Sequence, residues 1–417
     1  MKPPILGTHI FSDRLTTGSF STFVTEQKAN ESRIQPKYTG RYFLVSKNQV
    51  ADLNAQRKLF ESSLGFKIAT SSDFKEMINE ADLGNADMLI YEELGIALVD
   101  AIDEEKMAMV ESVEAGAILI PEKVVYVPDD LTYRVNIPAT WGIQKTGVYK
   151  SAFSGKNVKV AILDTGLDLH HPDFTTRKVV SQSFVPNESV HDLNGHGTHC
   201  VGTACGDKNM AGERYGVAHE ADIYVGKVLA NKGSGAQSWV MNGMLWAASN
   251  GCKVVSMSLG SPVNPGETPD IAYERTAANV FAKGCIPVAA AGNDSNRSNG
   301  AVMPIGSPAD GGFVLAVAAL ASNLSVANFS NQAVNPKTTM GIAAPGVDIH
   351  SSWPMPKRYR TLSGTSMATP HVAGILALLW EQFPNSTPAA ICHRMRNLAQ
   401  PLPLLPEDVG AGLAQAP

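Results

Sequence analysis

Long apolar runs are scarce in this chain of 417 residues. The strongest, around Val372–Trp380, is too short to span a bilayer, so no membrane partner is expected. An excess of positive charge is missing too: 34 Lys and Arg face 39 Asp and Glu, a formal net charge of −5. That leaves no broad cationic field for a nucleic acid, and none is expected as a partner. Cysteine is sparse. The five present (Cys200, Cys205, Cys252, Cys285, Cys392) are odd in number and form no Cys-x-x-Cys pair. This argues against a disulfide scaffold and for free thiols in a reduced compartment. The opening, Met1 to Leu15, places Asp13 and Arg14 where a secretory leader would carry its apolar stretch. Cytoplasmic residence is therefore the favoured expectation. No internal repeat is visible.

What is present is an ordinary globular composition, 44% apolar and 18% charged, with room for two or three domains. Residues 1–37, mixed in character and rich in Ser and Thr, read as a loosely structured extension. Residues 38–130 alternate strand and helix patterns. Arg41–Val45, Ile96–Ala101 and Lys123–Val127 look like strands. Ala51–Leu64, with Leu53, Leu59, Phe60 and Leu64 at helical spacing, and Glu104–Val113 look like helices. The order predicts a small α+β, ferredoxin-like domain with helices on one face of a sheet. Pro128-Asp129-Asp130 reads as a turn and a boundary.

Residues 131–417 change character. Val158–Leu163, Ile223–Val228, Val254–Ser258 and Ile286–Ala291 are apolar runs of strand length. Helical stretches around Ser238–Ala248 and Pro269–Lys283 separate the last three. Near-continuous apolar strands alternating with helices predict an α/β fold, a mostly parallel sheet covered by helices on both faces. A final helix is expected from Thr387 as N-cap, with Pro388 in its first turn.

Three clusters in this larger domain have an unusual local composition. Val160-Ala-Ile-Leu-Asp-Thr-Gly166 puts an acid, Asp164, at the carboxyl end of an apolar strand, where catalytic groups collect in open α/β sheets. Taken alone, Asp164 reads more readily as a strand-ending turn residue. Asn194-Gly-His-Gly-Thr-His-Cys200 brackets His196 with glycines that permit close backbone approach. His199 is a second candidate base, and a metal pair would need further ligands that do not stand out. Ser363-Gly-Thr-Ser-Met-Ala-Thr-Pro-His-Val-Ala-Gly374 leads into an apolar helix, with Ser366 in its first turn. The positive end of the helix dipole would stabilise negative charge there, although a plain N-cap fits the same serine.

Together the clusters supply an acid, a base and a nucleophile in the order Asp, His, Ser, the order of the subtilisin-type peptidases. All three segments resemble the signature motifs of the subtilase family, and the match through Gly364–Gly374 is the longest. The resemblance runs from about Trp141 to Gln415. It implies a subtilisin-like fold and a serine endopeptidase that forms an acyl-enzyme without a catalytic cofactor. Protein or peptide substrates are its implied partners. Ser366 would be the nucleophile, His196 the general base, and Asp164 its orienting acid. Asn293, in Ala290-Ala-Gly-Asn293, would be the side-chain oxyanion donor. Ser258, Leu259 and Gly260 on one side, with Ser234 and Gly235 on the other, would bind a peptide as an added strand.

The same resemblance extends to the smaller domain. Tyr38–Asp130 resembles the family's prodomain, a chaperone that stays as an inhibitor after the precursor cuts it off. A structural calcium is implied at Asp173, Asp207 and Asn209, in hard oxygen surroundings that suit that ion. Cys200 reads as a small buried hydrophobe beneath the histidine. Val302 is expected at the base of the primary pocket, favouring Leu, Met or Ala over Phe and Tyr before the cut bond. Two other readings would follow from changes at the site. A transpeptidase would need a water-excluding lid, and a peptide-binding pseudoenzyme would need a missing catalytic residue.

Overall fold

The structure, a computed structural model, describes residues 37–45, 57, 60–62, 65–74, 78, 86–100, 118–126 and 139–417. The predicted extension up to residue 36, the helix at Glu104–Val113, most of that at Ala51–Leu64 and the boundary turn lie outside them. In the N-terminal part, β1 (Tyr38–Val45), β2 (Ile68–Thr70), β3 (Met88–Tyr91), β4 (Ile96–Val99) and β5 (Ile118–Tyr126) form one sheet in the order β2-β3-β4-β1-β5. Its pairs are antiparallel except β2 with β3. Here β5 is longer than the run expected at Lys123–Val127, because Pro121 interrupts the apolar pattern without ending the pairing. Pro121 still sits opposite Tyr42.

In the C-terminal part the strands are almost wholly apolar, and a parallel sheet buried on both faces follows from that. They are β6 (Lys159–Asp164), β7 (Val179–Ser183), β8 (Asp222–Lys227), β10 (Val254–Met257), β11 (Ile286–Ala290), β12 (Leu315–Leu320) and β13 (Ile342–Pro345). Their order is β13-β12-β11-β10-β6-β8-β7, parallel throughout. Along β6 the alternation of side chains divides the core: Ala161 and Leu163 join one buried cluster, Val160 and Ile162 the other. β9 (Ser234–Ala236) stands apart from this sheet and pairs with β5, so the N-terminal sheet gains a sixth strand from the larger domain. β14 (Ile349–Trp353) and β15 (Arg358–Leu362) make a separate hairpin.

The helices are α1 (Trp141–Lys145), α2 (His196–Cys205), α3 (Gln237–Ser249), α4 (Ile271–Ala282), α5 (Thr365–Gln382), α6 (Pro388–Leu398) and α7 (Pro406–Val409). Most of α5 is buried, in keeping with its continuous apolar composition. α6 starts where the sequence predicts, with Thr387 accepting from Ala390 N. The two domains meet at helix ends. Glu122 of β5 accepts from Ser238 N in the first turn of α3, and it also holds Arg41. On α4, Arg275 donates to the carbonyls of Leu94 and Gly95 in the β3–β4 turn.

Candidate active site

Several chain segments converge at the carboxyl end of the large sheet: β6 ends at Asp164, β10 runs on into Ser258, and β11 into Asn293. Opposite them α2 begins at His196, and α5 places Ser366 in its first turn. Asp164 is fully buried, with Oδ1 2.8 Å and Oδ2 3.0 Å from His196 Nδ1. The nitrogen facing a carboxylate carries the proton, so Nε2 keeps the lone pair. Nε2 has no hydrogen-bond partner. Burial pulls the imidazole pKa down, but the adjacent Asp164 charge and hydrogen bond outweigh it and hold it well above the ordinary value.

The second histidine of the motif does something else. His199 Nε2 lies 3.0 Å from Ile349 O and 3.1 Å from Arg360 O, tying α2 to the β14–β15 hairpin. Burial lowers its pKa to about 3, so it stays neutral and serves the fold. Cys200 Sγ sits 3.8 Å from His196 Nδ1 and 3.6 Å from Ser366 O. Burial pushes this thiol up to about 11, which leaves it a neutral packing group.

Ser366 Oγ donates to the carbonyl of Ser258 at 3.2 Å, and Ser258 Oγ donates to the carbonyl of Ser366 at 2.7 Å. The serine–histidine hydrogen bond is therefore not made in this conformation; catalytic hydrogen bonds often tighten only when substrate is bound. Asn293 Oδ1 accepts from Thr365 N at 2.9 Å and from Thr365 Oγ1 at 2.7 Å. Only the oxygen can accept from an N–H, so the amide orientation is settled and Nδ2 is left to donate. A Cβ added at Gly364 would come within 3.1 Å of that Nδ2. Beside it the backbone N–H of Ser366, in the first turn of α5, has no intrahelical acceptor. Two donors are thus available next to one hydroxyl.

Supporting groups escaped the sequence reading. Asp192, fully buried, accepts from Thr165 Oγ1, Gly195 N, Thr198 N and Thr198 Oγ1 at 2.7–2.9 Å. It binds the segment after Asp164 to the start of α2, and so sets the distance between acid and base. Lys227 Nζ, also buried, donates to Thr165 O at 2.6 Å. An acid shortly before a helix start is a readable capping signal; nothing local marks the lysine.

Ser234–Ala236 and Gly260 lie on either side of β5. β5 runs antiparallel to β9, pairing Val124 with Ala236, Val125 with Gly235 and Tyr126 with Ser234. On its other side Tyr126 exchanges hydrogen bonds with Gly260: N to O at 3.0 Å and O to N at 3.4 Å. Between Ser234–Ala236 and Gly260, β5 is the middle strand of three.

The expected calcium ligands Asp173, Asp207 and Asn209 face other partners or solvent. The Asp173 carboxylate is taken by Tyr215 Oη at 2.5 Å and Tyr359 Oη at 3.0 Å. Asp207 is exposed, and Asn209 is turned inward on its own loop: Oδ1 accepts from Ala211 N and Glu213 N, and Nδ2 donates to Glu213 Oε2. Among the described residues, the trio of His, Cys, Asp or Glu ligand atoms that converges is Asp164, His196 and Cys200. In this conformation the Asp173 carboxylate and the Asn209 side chain are engaged in internal hydrogen bonds, while Asp207 lies exposed on the loop. Gly306 N donates to Ala291 O at 2.9 Å, and its neighbour Ser307 pairs with Ser261, next to Gly260.

Comparison with known proteins agrees with this geometry. A family model described as the subtilase family matches residues 155–412. The M-protease of Shouchella clausii is 35% identical over 340 residues, covering 79% of this chain and 83% of its own. Subtilisin E of Bacillus subtilis is 37% identical over 284 residues, 66% of this chain and 70% of its own. Subtilisin DY of Bacillus licheniformis is 39% identical over 258 residues, 62% of this chain and 89% of its own.

Proposed function

The chain belongs to the subtilase family and is a serine endopeptidase, and from that premise we propose that Ser366, His196 and Asp164 are its nucleophile, general base and orienting acid. The observation that carries this assignment is the His196 ring, held through Nδ1 by Asp164 while Nε2 is left without a partner. A small rotation of the Ser366 side chain turns its hydroxyl from the Ser258 carbonyl to that nitrogen. His196 then takes the proton as Ser366 Oγ attacks a peptide carbonyl, and returns it to the leaving amine. Asn293 Nδ2 and Ser366 N donate to the oxygen of the tetrahedral intermediate. Water repeats the sequence on the acyl-enzyme. No step calls on a cofactor.

Because His196 must be neutral to accept the proton, its raised pKa places the acidic limb of the rate profile above the ordinary histidine value. A fluorophosphonate probe tests the assignment directly: the wild type should label, and Ser366→Ala should not. Labelling that survives in Ser366→Ala would move the nucleophile elsewhere.

Residues 38–130 act as the prodomain, and the domain that follows begins near residue 131. The support is β5 in the cleft, with Glu122 capping α3 from outside the peptidase domain. Tyr126 pairs with Gly260, two residues beyond Ser258, whose carbonyl accepts from Ser366 Oγ; this supports a cut within Tyr126–Asn136, a short way past Tyr126. After it, strand pairing keeps the prodomain bound as an inhibitor. N-terminal sequencing of the wild type beside Ser366→Ala tests this. Intact active wild type would sink the prodomain reading and leave the peptidase reading standing. The fold is proposed to hold without calcium, and the five free cysteines support a reducing compartment.

A further inference from the structure

One group of buried polar side chains near the cleft has no part in the reaction. The segment after Gly306 runs from the cleft wall to Asp310, which is 3% exposed. Burial pushes the Asp310 carboxyl up to about 7; the opposing cation is Lys123, while Asp270 and Glu274 add like charge. Of the buried hydroxyls in this part of the fold, Tyr273 Oη and Ser261 Oγ have no hydrogen-bond partner. Tyr273 N donates to Asp270 Oδ1 at 3.1 Å, and burial with the charges of Asp270, Glu122 and Asp310 holds its hydroxyl well above the ordinary pKa. Buried acceptors left open in this way are costly unless a donor arrives.

The strand in the cleft indicates which donor. Side chains alternate along β5, so Lys123 and Val125 share a face. Val125 is fully buried and joins the core cluster that includes Leu259, Tyr273, Ile305 and Ala309. Lys123 is fixed at backbone level by Gln237, whose Oε1 accepts from Lys123 N at 3.2 Å and whose Nε2 donates to Asp270 Oδ1 at 3.0 Å. Among the described residues, the cation whose charge opposes the rise of the Asp310 pKa is Lys123, on the strand between β9 and Gly260, and it would leave with that strand.

We infer that Asp310, with Asp270 and the Tyr273 hydroxyl, forms a subsite for a basic substrate side chain. The residue it selects lies three before the one that pairs with Gly260. The inference rests on the peptidase reading, in which substrate replaces β5 between β9 and Gly260. An ammonium brings three donors and a guanidinium five, enough to serve both the carboxylate and an orphan hydroxyl. The longer arginine should reach further in than lysine.

The test uses the purified full-chain preparation, active sites counted by fluorophosphonate titration. Its substrates are internally quenched peptides X-Val-Val-Tyr-Ala-Leu-Ser-Gly with X as Arg, Lys, Ala or Glu, and the cut position is checked by mass. The expected kcat/KM falls in the order Arg, Lys, Ala, Glu, with about fivefold between Lys and Ala, the size of a partly screened ion pair. In Asp310→Asn the Lys-to-Ala ratio should fall towards one; because a ratio is read, a general loss of activity cancels. If that variant does not fold, the wild-type order decides alone. Equal rates for Lys, Ala and Glu would overturn the subsite while leaving the peptidase intact. No cleavage of any peptide, together with no labelling, would overturn both.

Discussion

Asp164 and Asp173 lie on the same stretch of chain, both largely buried, and they meet different surroundings. Asp173 is met by two tyrosine hydroxyls, with Tyr215 and Tyr359 edge to face. Asp164 is met by an imidazole whose far nitrogen has no partner. In the first arrangement the nearby hydroxyl donors are spent on one carboxylate, and the result is a rigid joint between the Asp173 loop, the segment before Val217 and the β14–β15 hairpin. The second leaves one group open, facing a cleft. A buried acid is common to both, so the acid does not make the site; the incomplete hydrogen-bonding beside it does.

The sharpest way to break this contrast is at the open side. Ser366→Ala should lower kcat by about 10⁶-fold without unfolding the protein, read by single-turnover kinetics beside a melting curve. Asp164→Asn should cost about 10⁴-fold, since the wrong nitrogen of His196 is then left to face the serine. The same change removes the main influence raising the His196 pKa, so the acidic limb of residual activity should move to lower pH. A limb that stays in place would mean that Asp164 is not what sets it. Asn293→Ala should reduce kcat by about 10²–10³-fold with KM nearly unchanged, the size such a loss has in this family. A loss mainly in KM would contradict the oxyanion role.

On the closed side the effects should be smaller and of another kind. Tyr215→Phe leaves Asp173 short of a donor in a buried place, and about 1–3 kcal/mol of stability should be lost in denaturant titrations. The kcat per active site should not follow. Smallest of all is the response to a chelator: with the Asp173 oxygens already engaged, the melting temperature should not move on adding EDTA or excess calcium. A midpoint that rises with calcium would show that the tyrosines give way to the ion.

The same contrast marks what could be read from the chain alone. The strands Val158–Leu163, Ile223–Val228, Val254–Ser258 and Ile286–Ala291 and both central helices were legible because a sheet buried on both faces forces unbroken apolar runs. Leu315–Leu320 and Ile342–Pro345 carry the same signal at the far edge and were passed over. Val179–Ser183 was not legible: its polar, half-exposed residues have no strand period. The triad, Asn293 and the cleft were carried by contiguous motifs. Lys227 was not, since it acts on residues far away in sequence; Asp192, three residues before Gly195, carried a capping signal that was passed over. The partners of Asp173 were hidden for the reason that hid Lys227: Tyr215 and Tyr359 lie far along the chain and meet it only in the fold.

The shortness of β9 has a consequence for the protein in company with its own copies. Once β5 is gone, Ser234–Ala236 becomes an uncovered sheet edge, the kind of surface along which proteins add to one another and precipitate. Here the edge is only three residues long, between Gly233, with φ of 83°, and the first turn of α3. Too few ladder positions remain for a second folded copy to dock stably edge to edge. An unfolded segment, able to thread between β9 and Gly260 and gain hydrogen bonds from both, is not subject to that limit. Under the proposed release of β5, the same geometry would favour loops, tails and denatured chains over well-packed proteins.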